Sequence, residues 1–113
     1  MEIEERISGD VAILDLRGRL VQDDDGEGLF RQKVDDLIQR GRKNILLNLN
    51  DVTDLDSTGV GAVVWKYVTL KRQGGTLKLV GLTPRSRRIL ATAKLLTVLA
   101  AFDAEAEAVK SFQ

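Results

Sequence analysis

The run Asn48-Leu49-Asn50-Asp51-Val52-Thr53-Asp54-Leu55-Asp56-Ser57-Thr58-Gly59-Val60-Gly61 decides how this chain folds. An apolar segment, Ile45 to Leu49, leads into it, and a helical pattern, Val60 to Lys71, leads out. Between them stand Asp51, Asp54 and Asp56, the hydroxyl residues Ser57 and Thr58, and Gly59 and Gly61. The order reads as a strand, a short polar loop and the start of a helix, with Ser57 at the junction.

Spacing supports the helix. Val60, Val63, Val64, Tyr67, Val68 and Lys71 recur at helical intervals and form one stripe, with Trp65, Lys66, Thr69, Arg72 and Gln73 elsewhere. Valine is a poor helix former, so packing must hold this segment. Burial of its four valines is worth on the order of 6 kcal/mol, well above their summed propensity deficit. Asp56, Ser57 and Thr58 can each cap the first turn. Gly59 and Gly61 leave the backbone bare there, so that another surface can come close.

Outward from this centre the chain alternates. Ile3 to Ile7 is a weak strand, Gly9-Asp10 a turn and Val11 to Leu16 a stronger strand, together an antiparallel hairpin with the first strand at an edge. Gly18 to Gly28 is a polar link, in which Asp23-Asp24-Asp25 reads as a solvated helix start. Phe30, Val34, Leu37 and Ile38 mark a helix that Gly41 stops. Asn44 to Leu49 is a central strand. After the Ser57 helix come Gly74-Gly75, a strand over Thr76 to Val80 and a helix opened by Thr83-Pro84. On that helix Arg87 and Arg88 face solvent while Ile89, Leu90 and Ala93 point inward. A short last strand is expected around Val98, within Leu95 to Ala101. A terminal helix over Ala104 to Phe112 would dock through Ala106, Val109 and Lys110. Strands separated by single helices imply parallel pairing and an α/β fold.

Composition narrows the function. The chain has 113 residues, which suits one domain, and 17 basic against 17 acidic residues. Zero net charge argues against nucleic acid or an anionic membrane as the main partner. No cysteine or histidine is present, which removes thiol chemistry, Ser-His catalysis and the usual transition-metal ligands. No segment reaches the length of a membrane span, and the charged start Met1-Glu2-Ile3-Glu4-Glu5-Arg6 is unlike a signal peptide, so a cytoplasmic protein is expected.

Three functional readings compete at the centre, alongside a plain capping role for Ser57. Ser57 could be a nucleophile, yet no motif supplies its base. Asp51, Asp54 and Asp56 could hold a cation, yet the remaining ligands of a calcium loop are missing. Third, Ser57 could accept phosphate from a partner kinase and regulate protein binding.

Asp56-Ser57-Thr58-Gly59-Val60-Gly61, preceded by Asn48-Leu49-Asn50-Asp51-Val52, resembles the anti-sigma-factor antagonists, the bacterial STAS-domain proteins. Gly74-Gly75-Thr76-Leu77-Lys78-Leu79-Val80-Gly81-Leu82-Thr83-Pro84 and Arg87-Arg88-Ile89-Leu90 are similar to the same family, and the resemblance spans about Ile3 to Phe112. It implies a single STAS domain over 1–113: a mixed, mainly parallel sheet of about five strands with four helices and an N-terminal antiparallel hairpin.

It also implies a non-enzyme without cofactors. The unphosphorylated form would bind an anti-sigma factor that is itself a serine/threonine kinase and so release a sigma factor. Phosphorylation of Ser57 would end binding, and a metal-dependent serine phosphatase would reset it. The partner-binding set is then Asp56, Ser57, Thr58, Gly59, Gly61 and Asp23. The alternative is a non-catalytic STAS scaffold in a signalling assembly or lipid-transport complex. Three positions depart from the family pattern. Gly18-Arg19-Leu20-Val21 places Arg19 where an acid is usual and Val21 where an aspartate is usual, with Asp23 as its substitute, and Lys94 stands at a common glycine.

Overall fold

The computed structural model describes residues 1–22 and 25–113. A five-stranded sheet runs in the order β1-β2-β3-β4-β5, which is also the order along the chain. β1 (Glu2–Ser8) pairs antiparallel with β2 (Val11–Leu20), and β3 (Asn44–Leu55), β4 (Thr76–Val80) and β5 (Ala101–Phe102) continue in parallel. The helices are α1 (Gly26–Gln39), α2 (Ser57–Arg72), α3 (Pro84–Thr92) and α4 (Glu105–Lys110). This is the mixed sheet with an N-terminal hairpin and four helices that the resemblance implies.

Helices α1, α2 and α3 cover one face. Phe30, Val34 and Leu37 of α1, Val60, Val63 and Leu70 of α2 and Leu90 of α3 join Leu14, Leu16, Leu47 and Leu79 of the sheet in the main core. On the other face α4 sets Ala108, Val109 and Phe112 over Val11, Ile13, Leu46 and Val80. A six-residue helix is marginal alone. Here Arg6 of β1 grips Asp15 at 2.6 Å and also binds Glu105 at the start of α4, tying that helix to the sheet. Asp15 accepts a further bond from Asn48 Nδ2 at 2.9 Å. The Arg6 guanidinium holds the Asp15 carboxyl below its ordinary pKa, against the opposing effect of burial.

Several elements differ from their sequence reading. β2 continues through Leu20, taking in the start of the expected polar link, and β3 continues through Leu55, so nearly all of the loop expected before Ser57 is strand. The β2–β3 register slips by one residue between Asp15 and Arg17 and again between Gly18 and Arg19. These bulges bury Leu49, Val52 and Leu55 at every third position, which disguises the two-residue period of a strand. The last strand is Ala101–Phe102. Val98 lies outside it, 52% exposed after a single 3₁₀ turn at Leu95–Thr97. In α4 the docking side chain is Ala108 with Val109, while Ala106 and Lys110 face solvent. Ala93 is exposed and caps α3 instead of entering the core.

Helix ends follow their local chemistry. Gly41, at φ 82°, closes α1 with its amide on Ile38 O and that of Arg42 on Leu37 O, a Schellman end. Thr83 Oγ1 accepts from Ser86 N at 3.0 Å, with Pro84 in the first helical position. Lys94 takes the corresponding left-handed position after α3, at φ 61°, without being glycine. A left-handed L-residue costs about 1–2 kcal/mol, of which glycine's extra unfolded entropy returns part. Lys94→Gly should therefore stabilise by about 0.5–1 kcal/mol, read as a Tm higher by a few degrees.

Glu5 joins β1 to α1. Its Oε1 accepts from Arg40 at 2.6 Å and from Lys33 at 2.8 Å, and these bonds lower its pKa from 4.5 to about 2. A carboxyl depressed in the folded state stabilises above its unfolded pKa and loses that contribution as pH falls through its folded one. Stability should decline between pH 4.5 and about 2. In Glu5→Gln, urea titrations over that window should show a shallower decline.

Candidate functional site

β3 passes into α2 through one residue, Asp56, whose backbone is extended. Its Oδ1 accepts from Gly59 N at 2.9 Å and caps the helix, while its Oδ2 accepts from Gln22 N at 3.0 Å. One carboxylate thus joins the first turn of α2 to the chain just beyond β2. The amides of Gln22 and then Gly59 hold the Asp56 carboxyl below its ordinary pKa. Capping therefore falls to Asp56 among the three residues able to do it. Ser57 occupies the first helical position, exposed, and its hydroxyl makes no hydrogen bond among the described residues. Thr58 beside it is half-buried.

The two glycines separate. At Gly59 a Cβ would be driven into the Leu20 carbonyl oxygen, so the surface that comes close is the protein's own β2. Gly61 is exposed, with nothing within 4 Å of the corresponding position. Gly61 alone leaves bare backbone to an external partner.

The three aspartates do not converge. Asp51 faces Arg17 at 3.6 Å, Asp54 pairs with Arg85 at 3.2 Å and with Arg19 at 3.8 Å, and Asp56 is held by amides. Among the described residues no group of three carboxylates is placed to hold a metal ion. Val21, at the usual aspartate position, is buried. Asp23 and Asp24 lie outside the described residues.

Helix α2 is turned relative to the stripe read from its sequence. Gly59, Val60, Ala62, Val63, Lys66 and Leu70 face the core, while Val64 and Tyr67 are half-buried and Val68 and Lys71 are exposed. The helix is apolar on two sides, so a single stripe could not separate them. Lys66 lies along the core and carries its ammonium out to Asp35 on α1 at 2.7 Å.

The second apolar side opens outward. Val60, Gly61, Val64, Trp65 and Val68 of α2, Ile89 of α3 and Ala93 at its end line a groove of about 660 Å³ together with Leu55, Asp56 and Ser57. Trp65 is 64% exposed and Val68 37%. Another depression, between β1 and α1 near Met1 and Leu29, does not include Ser57 in its lining.

Charge marks the same region. Lys66, Lys71, Arg72, Lys78, Arg85, Arg87, Arg88 and Lys94 lie between Ser57 and Phe102, and all 17 acidic residues lie outside that stretch. The zero net charge is a sum over two halves of opposite sign. This pattern was available in the sequence, but a whole-chain total conceals it.

This fold and site define an α/β domain that presents a hydroxyl at a helix start. The STAS domain family model matches residues 2–108, and the chain belongs to that family. An anti-sigma F factor antagonist of Paenibacillus polymyxa is 26% identical over all of this chain and 96% of its own length. The crystal structure of a candidate anti-sigma factor antagonist from Thermotoga maritima superposes with a TM-score of 0.90 at 27% identity, covering 97% of this chain and 93% of that one. The Bacillus cell fate determinant SpoIIAA in its phosphorylated form shares the fold, with a TM-score of 0.75 at 21% identity, 99% of this chain and all of that one. These relatives place the chain among the STAS anti-sigma-factor antagonists.

The glycine contrast predicts opposite stabilities. Gly59→Ala should destabilise by about 1–3 kcal/mol through the Leu20 clash, whereas Gly61→Ala, in an open helical position, should gain about 0.5–1 kcal/mol. Urea denaturation of the two variants checks this.

Proposed function

We propose that this chain is a non-catalytic ligand of an anti-sigma factor with serine kinase activity. The unmodified form binds that kinase through the Ser57 end of α2 and the neighbouring groove, and so frees a sigma factor. Phosphorylation of Ser57 ends binding, and a serine phosphatase restores it. The observation that carries this reading is the exposed, unengaged Ser57 hydroxyl on the lining of an apolar groove, with capping already done by Asp56. Relatives named as anti-sigma factor antagonists support it, as does the similarity in fold to a protein solved in a phosphorylated form.

Magnitudes favour a switch of binding over one of folding. A phosphate adds a charge of about −1.5 to −2, which a helix N-terminus favours by about 0.3–1 kcal/mol. The domain therefore keeps its structure. In a docked complex one unfavourable charge pair at about 4 Å costs about 4 kcal/mol, roughly a thousandfold in affinity.

Buried Val21 favours a second reading. It removes the acid that the family pattern places there, and a scaffold subunit of a signalling or lipid-transport assembly would need no phosphorylation. Incubation with an anti-sigma factor serine kinase from the same organism and ATP, followed by mass spectrometry, separates the two. The switch predicts phosphate on Ser57, loss of kinase binding by Ser57→Asp and a melting temperature for that variant within a few degrees of wild type. An unmodified Ser57, with kinase binding retained in Ser57→Asp, would favour the scaffold.

A further inference from the structure

The groove between α2 and α3 is lined mostly by apolar residues, and the same two helices carry basic residues next to that lining in helical spacing. Arg85 precedes Ile89 by one helical turn on α3, and Arg88 stands next to it. Both are exposed. Arg85 is partly engaged by Asp54, and Arg88 has no ion pair among the described residues. On α2 the exposed row through Trp65 and Val68 continues to Arg72, one further turn along. Asp56 is the lone acid in the lining, and both its oxygens are occupied by amide hydrogens. An occupant therefore meets apolar side chains flanked by positive charge, unpaired at Arg72 and Arg88 among the described residues and shared with Asp54 at Arg85.

We propose that the groove receives an amphipathic helix of the partner protein, with apolar residues seated against Trp65, Val68 and Ile89 and acidic residues on the flanks facing Arg85, Arg88 and Arg72. The proposal rests on the reading of Ser57 as the docking end and specifies what docks beside it. A helix offers apolar positions at i, i+3, i+4 and i+7, a spacing that a trough between two helices accepts. Nucleic acid is a poorer match, because its phosphates would lie over an apolar floor with only Trp65 exposed for stacking. A bilayer is a poorer match as well, because most of the apolar residues line a concavity instead of projecting from the surface. The charge pattern also gives the Ser57 phosphate a target: it would stand on the groove's lining and repel an acidic occupant.

Trp65 is the only tryptophan of the chain, so its emission reports the groove directly. The test uses a synthetic amphipathic helix of about 18 residues, long enough to be helical when bound, with leucine on one face and glutamate on the flanks. Matched peptides carry lysine or glutamine on the flanks, and phosphatidylglycerol vesicles and single-stranded RNA represent the other anionic surfaces. The glutamate peptide should shift Trp65 emission to the blue and bind at least about tenfold more tightly than the lysine peptide. Arg88→Glu should weaken it by about tenfold, and so should raising salt from low to about 0.3 M.

Equal binding of all three peptides overturns the proposal. So does an unshifted emission with the glutamate peptide, whether or not vesicles or RNA move it. Ser57→Asp separates this inference from the switch. If the glutamate peptide binds that variant as well as wild type, the groove stands and the phosphate control fails. If the kinase binds in a Ser57-dependent way while no peptide moves Trp65, the switch stands and the groove fails.

Discussion

One carboxylate holds the site in place. Asp56 accepts hydrogen bonds from Gly59 at the start of α2 and from Gln22 beyond the end of β2. Those two amides are far apart in sequence, and the one from Gly59 is a first-turn amide with no partner inside the helix. Because Asp56 satisfies both, strand and helix meet at one residue and Ser57 has its direction fixed. The contact of Gly59 with the Leu20 carbonyl closes the same junction from the other side. Together they make a rigid mount from which a hydroxyl projects without any packing role of its own.

The two faces of the sheet divide the remaining work. Beneath α1, α2 and α3 lies a continuous hydrocarbon core that needs no polar help. The opposite face is covered only by short α4, and ionic contacts take over where hydrocarbon runs out. Arg6 spans β1, β2 and α4, and Lys78 lies over the Phe112 ring at 4.7 Å while donating to Ser111 O. Charged side chains are thus structural on the α4 side and, along the α2–α3 rim, left largely free to meet a partner.

Much of this could be read from the sequence because its signals were local. The β1–β2 turn at Gly9-Asp10, the Gly41 stop and the Thr83-Pro84 helix start each depend on a few adjacent residues, and all three stand where the sequence placed them. Ser57 at the strand–helix junction was legible for the same reason. What escaped depended on distant contacts. The extension of β3 to Leu55 is visible only once two bulges bring Leu49, Val52 and Leu55 onto one face. The core face of α2 was hidden because Lys66 is buried through a pairing with a different helix. The last strand depends on pairing with β4 and leaves almost no pattern in two residues. At the site, Asp56 as the cap and the divergence of the three aspartates required knowing where Gln22, Arg17 and Arg85 lie.

The order of the strands has a consequence for how the molecule is made. Each new strand is laid at the growing edge of those before it, and none has to be inserted between two already joined. A chain leaving the ribosome from its N-terminus can therefore assemble as it emerges, since every pairing partner has already been synthesised. Closure of the long β2–β3 ladder needs only the intervening α1, which keeps the entropy of loop closure modest. The Ser57 helix then finds its platform complete. Of these elements α4 emerges last, and it latches over the sheet face that α1, α2 and α3 leave bare.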